Sequence, residues 1–196
     1  MTSSAQERQV SVNVARIIAT NAVIARAWRD VEGWAPKGAA ALLSSARLDR
    51  QVSLSHCLNI WADDDEVDAP AQEGRLILAW TTLGALVEGT LRWFAAVHFD
   101  DYCRDAVSGG SPAGRDGPAE ASFERLRTFF ARHVWTDTEN PDQWVRVVQQ
   151  RRNTIHGFKD RDLGSFTEFR ASVRLYDQLL HDLTARVSDL PSREES

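Results

Sequence analysis

Apolar residues recur at helical spacing along most of the chain, and no stretch sustains the alternation of a β-strand. Residues 8–31 carry Val10, Val14, Ile17, Ile24 and Trp28 on one side, the stripe of an amphipathic helix. The run Gly33-Trp34-Ala35-Pro36 breaks it. Leu42, Leu43, Leu48, Val52, Leu58 and Trp61 predict a second helical region over residues 37–61. The acidic run at 63–66 follows, then Pro70. That run reads as a solvated loop rather than a calcium site, because no glycine-turned ligand loop accompanies the carboxylates.

The longest helical pattern covers residues 71–104. Leu76, Trp80, Leu83, Val87, Leu91 and Phe94 form one stripe, and Ile77, Leu78, Ala85, Leu86 and Trp93 cover much of the rest. A helix apolar nearly all round belongs at the centre of a bundle or in a membrane. Glu88 and Arg92 in its middle argue against the membrane, where each charge would be costly. Gly84 and Gly89 predict close approach by neighbouring helices. Glu88 stands four residues before Arg92, the spacing of an intrahelical salt bridge. Its alternative role is to reach Arg151 or Arg152 and orient it, since a buried charge needs a partner.

Residues 105–120, rich in glycine and proline, predict a loop, with Arg115 as a solvated side chain. A helix at 121–135 carries Phe123, Leu126, Phe130 and Val134, with His133 at its edge. A further helix is expected over 141–156, then a charged connection at 158–164. Ser165 and Glu168 form a capping box that opens the last helix. Its stripe of Phe166, Phe169, Val173, Tyr176, Leu180, Leu183 and Val187 can pack on the bundle or on a second subunit. The expected architecture is all-α: one domain over residues 1–196, a bundle of five or six helices with residues 76–99 at its centre. Its N-terminal helices lie in 1–70, a motif-bearing core spans about 71–187, and a polar tail covers 188–196.

Composition narrows the classes. At 196 residues and 43% hydrophobic content the chain is long enough for a real core, to which seven tryptophans and eight phenylalanines add bulk. The net charge of −5 speaks against a general nucleic-acid coat and leaves room only for a local basic patch. Cys57 and Cys103 lack metal or disulfide-framework spacing, so no metal or other cofactor is expected. The N-terminal residues show no basic-then-apolar signal pattern, and a cytoplasmic protein with free thiols is the simplest expectation.

Candidate chemistry concentrates in residues 149–156, Gln-Gln-Arg-Arg-Asn-Thr-Ile-His. Trp144, Val145, Val148 and Ile155 give this segment a buried stripe. Asn140 and Pro141 supply a start signal and Gly157 a stop. Arg152 and Asn153 lie four and three residues before His156, so both share its helix face, with Gln149 a turn earlier. Arg151, five residues before His156, meets it only if the last turn loosens. Arginine suits phosphate oxygens and histidine exchanges a proton near neutral pH, a minimal kit for phosphodiester cleavage without a metal. Lys159 and Arg161, just beyond, add positive potential, with Asp160 and Asp162 placed to neutralise it.

Arg151, four intervening residues and His156 resemble the Arg-x(4–6)-His motif of the HEPN superfamily. The family places Asn, Asp or His directly after the arginine; here Arg152 stands there and Asn153 follows. The resemblance implies a small helical bundle with the motif on a late helix. It also implies a metal-independent endoribonuclease of toxin–antitoxin or phage-defence type, with two motif helices meeting in a homodimer. His156 would then move the proton, Arg151 with Arg152 would hold the scissile phosphate, and Asn153 would orient one of them. Gln149 and Lys159 would assist in binding RNA, and Glu88 would orient an arginine. An antitoxin protein is a further implied partner. The alternative is a non-catalytic helical module that binds a nucleotide or a partner protein. A plainer reading also stands, with Arg151 and Arg152 as surface arginines and His156 as a C-terminal capping group.

Overall fold

The computed structural model describes residues 3–29, 37–62, 69–108, 117–135, 141–156 and 162–187. Helix α1 (Ser3–Ala27) leads into α2 (Lys37–Ser45), α3 (Leu48–Cys57) and the single turn α4 (Asn59–Ala62). The long α5 (Ala69–Val97) is followed by α6 (Phe99–Ser108), a 3-10 turn at Pro118–Glu120, α7 (Phe123–His133), α8 (Asp142–Arg152), a second 3-10 turn at Asn153–His156, and α9 (Phe166–Val187). No strand occurs among the described residues, as the lack of alternation predicts.

Besides the single turn α4, eight helices are present among the described residues where five or six are expected. Two predicted helices divide. Residues 37–61 become α2, α3 and α4, interrupted at Ala46-Arg47 and at Leu58. The 71–104 pattern divides at His98, where α6 restarts with Asp100 and Asp101 in its first turn, carboxylates that suit a helix N-terminus. None of the three breaks carries glycine or proline, so apolar periodicity runs through all of them.

α5 is the axis. Ala79, Trp80, Leu83, Leu86, Val87, Leu91 and Ala95 are fully buried, and the helix packs against α2, α3, α6, α7, α8 and α9. The α9 stripe packs on this bundle, against α1 and α5: Phe169, Val173, Tyr176, Leu180, Leu183 and Val187 are buried and Phe166 half-buried. The α1 stripe also holds, with Val14 and Ile17 fully buried. Its 8–27 stretch is long and apolar enough to cross a membrane by composition. In the fold its stripe covers α3 and α9, and the same helix carries Asn13 and Asn21, both buried and hydrogen-bonded.

A polar network threads this core. Asn21 donates to the Ser55 hydroxyl at 2.8 Å, Gln51 donates to the Leu86 carbonyl at 2.7 Å and to the Thr90 hydroxyl at 3.2 Å, and Thr90 and Tyr176 share a hydrogen bond at 3.0 Å. Buried polar atoms are tolerated when paired in this way, and the pairing fixes the register of α1, α3, α5 and α9.

Candidate functional site

The motif segment is α8 followed by its 3-10 turn. Pro141 precedes the first helical residue, with no side-chain cap bond. Asn140 and Gly157, the expected start and stop, lie outside the described residues, as do Lys159, Arg161, Asp160 and Arg115. The α-helix ends at Arg152, and the turn at residues 153–156 is tighter than the continuous helix expected over 141–156. A 3-10 turn advances about 120° per residue rather than 100°. Its side chains therefore leave the phase of the α8 stripe. Thr154 turns inward, 9% exposed, and its hydroxyl donates to the Arg151 carbonyl at 2.5 Å. Ile155, expected in the buried stripe with Val145 and Val148, is instead 48% exposed.

Arg151 departs furthest from expectation. It follows Val145 and Val148 at three-residue steps, so it shares their face and lies in the interior, 7% exposed. Its guanidinium sits over the Trp80 indole, 4.7 Å from the ring centroid. Nη2 donates to Glu168 at 2.8 Å and to Asp162 at 3.3 Å. The Trp80 indole N–H donates to the Leu163 carbonyl at 2.9 Å. Together these bonds clamp the segment that leads into α9 against the end of α8. Glu168 also completes the capping box: it accepts from the Ser165 backbone at 2.8 Å while Ser165 Oγ accepts from the Glu168 backbone at 3.3 Å. Gly164, with φ of 63°, passes directly beneath, and a Cβ there would collide with the Arg151 guanidinium. The Arg151 hydrogen bond holds the Glu168 carboxyl below its ordinary range. The Gly164 backbone N–H, and after it Arg151, do the same for Asp162.

Arg152 points the other way. Its aliphatic stem crosses α5 at Gly84, where an added Cβ would lie 2.7 Å from the Arg152 Cβ. The predicted close approach is therefore made there, and at Gly89 a Cβ would collide with the Gln51 amide. The Arg152 guanidinium pairs with Glu88 Oε2 at 2.6 Å and lies 5.7 Å from the Phe123 ring centroid. Glu88 Oε1 meets Arg92 at 2.8 Å. Glu88 thus makes both expected contacts together: the intrahelical bridge to Arg92 and the reach to a motif arginine, Arg152. Arg92 in turn donates to the carbonyls of Pro118 and Ala121 at 3.1 and 2.8 Å, which ties the start of α7 to α5.

The remaining candidates separate. Gln149 turns toward α7, where it hydrogen-bonds Glu124; Arg127 first, and Gln149 after it, holds that carboxyl below its ordinary range. Asn153 caps α8, half-buried. His156 stands exposed at the end of the 3-10 turn, three residues after Asn153, and no hydrogen bond ties it to another described residue. Asn153 and His156 share a side of the turn, as side chains three apart do in this geometry. The arrangement therefore offers one exposed imidazole, one half-buried arginine already paired with a carboxylate, and one buried arginine paired with two.

Trp80, Asp162 and Glu168 were not read from the sequence as partners of Arg151. The signals were present but separate: Trp80 in the α5 stripe, Glu168 in the capping box and Asp162 as a neutralising charge. No group of three histidine, cysteine or carboxylate side chains among the described residues is placed to hold a metal ion. In comparisons with known proteins, no family model, curated protein or solved structure matches the chain.

Proposed function

We propose that the chain is a HEPN-like helical module that works by recognition rather than by cleavage, its motif end pairing with a protein surface, in the first instance a second copy of the chain. The observation that carries this reading is that carboxylates of the same fold engage both motif arginines, Arg151 through Glu168 and Asp162, and Arg152 through Glu88. A phosphate would have to displace those carboxylates and would meet their negative charge. The motif end instead offers Ile155, 48% exposed, next to His156 on a turn that packs against α5. An exposed apolar side chain beside a histidine suits a protein contact better than a phosphate backbone.

The test is sedimentation velocity at micromolar concentration with the unmutated protein and with Ile155→Asp. A dimer that Ile155→Asp converts to monomer with an unchanged melting curve supports pairing through this end. A monomer at all concentrations removes the second copy as the partner.

The ribonuclease reading keeps one specific observation in its favour. His156 is exposed and shares a side of the turn with Asn153, so a dimer joined at this end would place two imidazoles near two Arg152 side chains, each 31% exposed. One imidazole would take the proton from a ribose 2′-hydroxyl, and the other would give one to the leaving 5′-oxygen. Incubation with RNA in EDTA beside His156→Ala separates the two readings. Cleavage that disappears in the variant supports the ribonuclease.

A further inference from the structure

A cleft of about 620 Å³ opens on another part of the molecule, lined by none of the motif residues 149–156. Phe94 and His98 line it from the end of α5 and the break after it. Asp101, Arg104 and Asp105 come from α6, Phe129, His133 and Val134 from α7 and its cap, and Arg186 from the last turn of α9. Its volume falls within the range of small-molecule sites, about 300–1,000 Å³.

The lining has two parts. One is aromatic: the His98 ring lies 4.5 Å from the Phe94 ring and the His133 ring 5.1 Å from that of Phe129, centroid to centroid. Burial lowers the affinity of His98 for a proton and so favours the uncharged ring, which adds to the flat surface. His98 Nε2 is buried and has no hydrogen-bond partner among the described residues.

The other part is polar and mostly committed. His133 Nε2 and Asp105 Oδ1 share a hydrogen bond at 2.7 Å, with Arg132 3.8 Å from the same oxygen, and Arg104 pairs with Asp101. A carboxylate oxygen accepts, so Nε2 donates in this bond, and in that tautomer the other ring nitrogen, Nδ1, is an acceptor. Arg186 differs. One of its nitrogens donates to the Val134 carbonyl at 2.7 Å, which anchors the guanidinium at the cleft, and no carboxylate among the described residues pairs with it. The rest of its fork is left to accept a planar anion.

We propose that this cleft binds a small flat aromatic carboxylate, with its ring against the His98 and His133 imidazoles and its carboxylate on Arg186. A single charge fits, because among the described residues Arg186 is the lining cation left without a carboxylate, while Asp101 and Asp105 repel a polyanion. A ring N–H on the ligand would find its acceptor in His133 Nδ1.

Isothermal titration of the intact protein with indole-3-carboxylate, indole-3-carboxamide and inorganic phosphate tests this. The carboxylate is expected to bind at least about tenfold more tightly than the carboxamide, the worth of one charge-assisted bond, and phosphate not at all. Arg186→Gln, which keeps a donor for the Val134 carbonyl, should remove that preference, and Arg174→Gln on the same helix outside the cleft should preserve it. Imidazole resonances of His98 and His133 should shift on binding, and those of His181 should not. Equal affinity for carboxylate and carboxamide, phosphate binding as tight as the carboxylate, or shifts at His181 instead would overturn the proposal, as would the absence of binding up to millimolar probe. The carboxylate–carboxamide comparison on the unmutated protein decides the matter even where Arg186→Gln fails to fold.

Discussion

Arg151 lies over the face of Trp80, its guanidinium carbon 4.7 Å from the ring centroid, and this contact joins the motif to the hydrophobic axis of the fold. Arg151→Ala removes a cation–π contact and the donors that hold Glu168 and Asp162, all from a side chain 8% exposed. We expect a loss of about 2–3 kcal/mol, read from urea denaturation. Arg151→Lys should recover little of it, because an ammonium cannot stack on the indole and fork to carboxylates as the planar guanidinium does. A variant as stable as the unmutated protein would show that the clamp contributes nothing.

Glu88 is 13% exposed and shared between Arg92 and Arg152, each about one-third exposed. Removing the shared acid leaves two cations facing each other across a half-buried site. Glu88→Gln is expected to destabilise by about 1–2 kcal/mol, the discount reflecting the exposure of both arginines. A double-mutant cycle with Arg152→Ala should show coupling of at least about 0.5 kcal/mol. Strict additivity would mean that the 2.6 Å pair carries no interaction energy.

Acid should weaken the fold in two windows. His98 holds a proton less readily when folded than when unfolded, so the unfolded state binds more protons as pH falls through the ordinary histidine value of 6.5, and stability declines from there. Glu168, Glu124 and Asp162 have carboxyls held below their ordinary values of 4.5, 4.5 and 3.8. Their stabilisation is complete above those values and is lost as pH falls through the lower folded ones. Denaturation midpoints measured from pH 8 to pH 3 should therefore fall in two stages. His98→Gln should flatten the first, and Glu168→Gln part of the second. A midpoint independent of pH between 7 and 5 would contradict the first stage.

The all-α class, the central position of α5, the capping box of α9 and the partnering of Glu88 are all legible in the sequence, because each rests on spacing within one helix or on the need of a buried charge for a partner. The breaks at Leu58 and His98 are not, since no breaker residue marks them and the apolar rhythm continues across. The placement of Arg151 is half legible. Val145, Val148 and Arg151 are spaced as one face, but an arginine on that face makes sense only once Trp80, 71 residues earlier, and Glu168, 17 later, are known to meet there. A long-range partner leaves no local trace. The exposure of Ile155 follows from the change to 3-10 geometry, which periodicity at a fixed pitch cannot anticipate.

The last prediction concerns what motif variants can reveal. Sequence alone makes Arg151→Ala and His156→Ala equivalent, two polar substitutions at a helix end that leave the fold intact. The structure separates them. His156 is exposed and tied to no described residue, so His156→Ala should change stability by no more than about 0.5 kcal/mol. Arg151→Ala should unfold the protein at appreciably lower denaturant, and any function lost with it reflects the clamp. Arg152→Ala falls between, because its stem packs on Gly84 and its loss leaves Glu88 with Arg92 alone. RNA incubated in EDTA with the unmutated protein and each variant, at a temperature where every melting curve shows a folded chain, then gives an interpretable result. If none of the four cleaves, the recognition module stands. If the unmutated protein cleaves while His156→Ala and Arg152→Ala, both folded, do not, His156 and Arg152 are catalytic and the recognition reading is lost. Cleavage abolished only by Arg151→Ala would trace to the clamp over Trp80 rather than to phosphate contact, and the accompanying melting curve would show it.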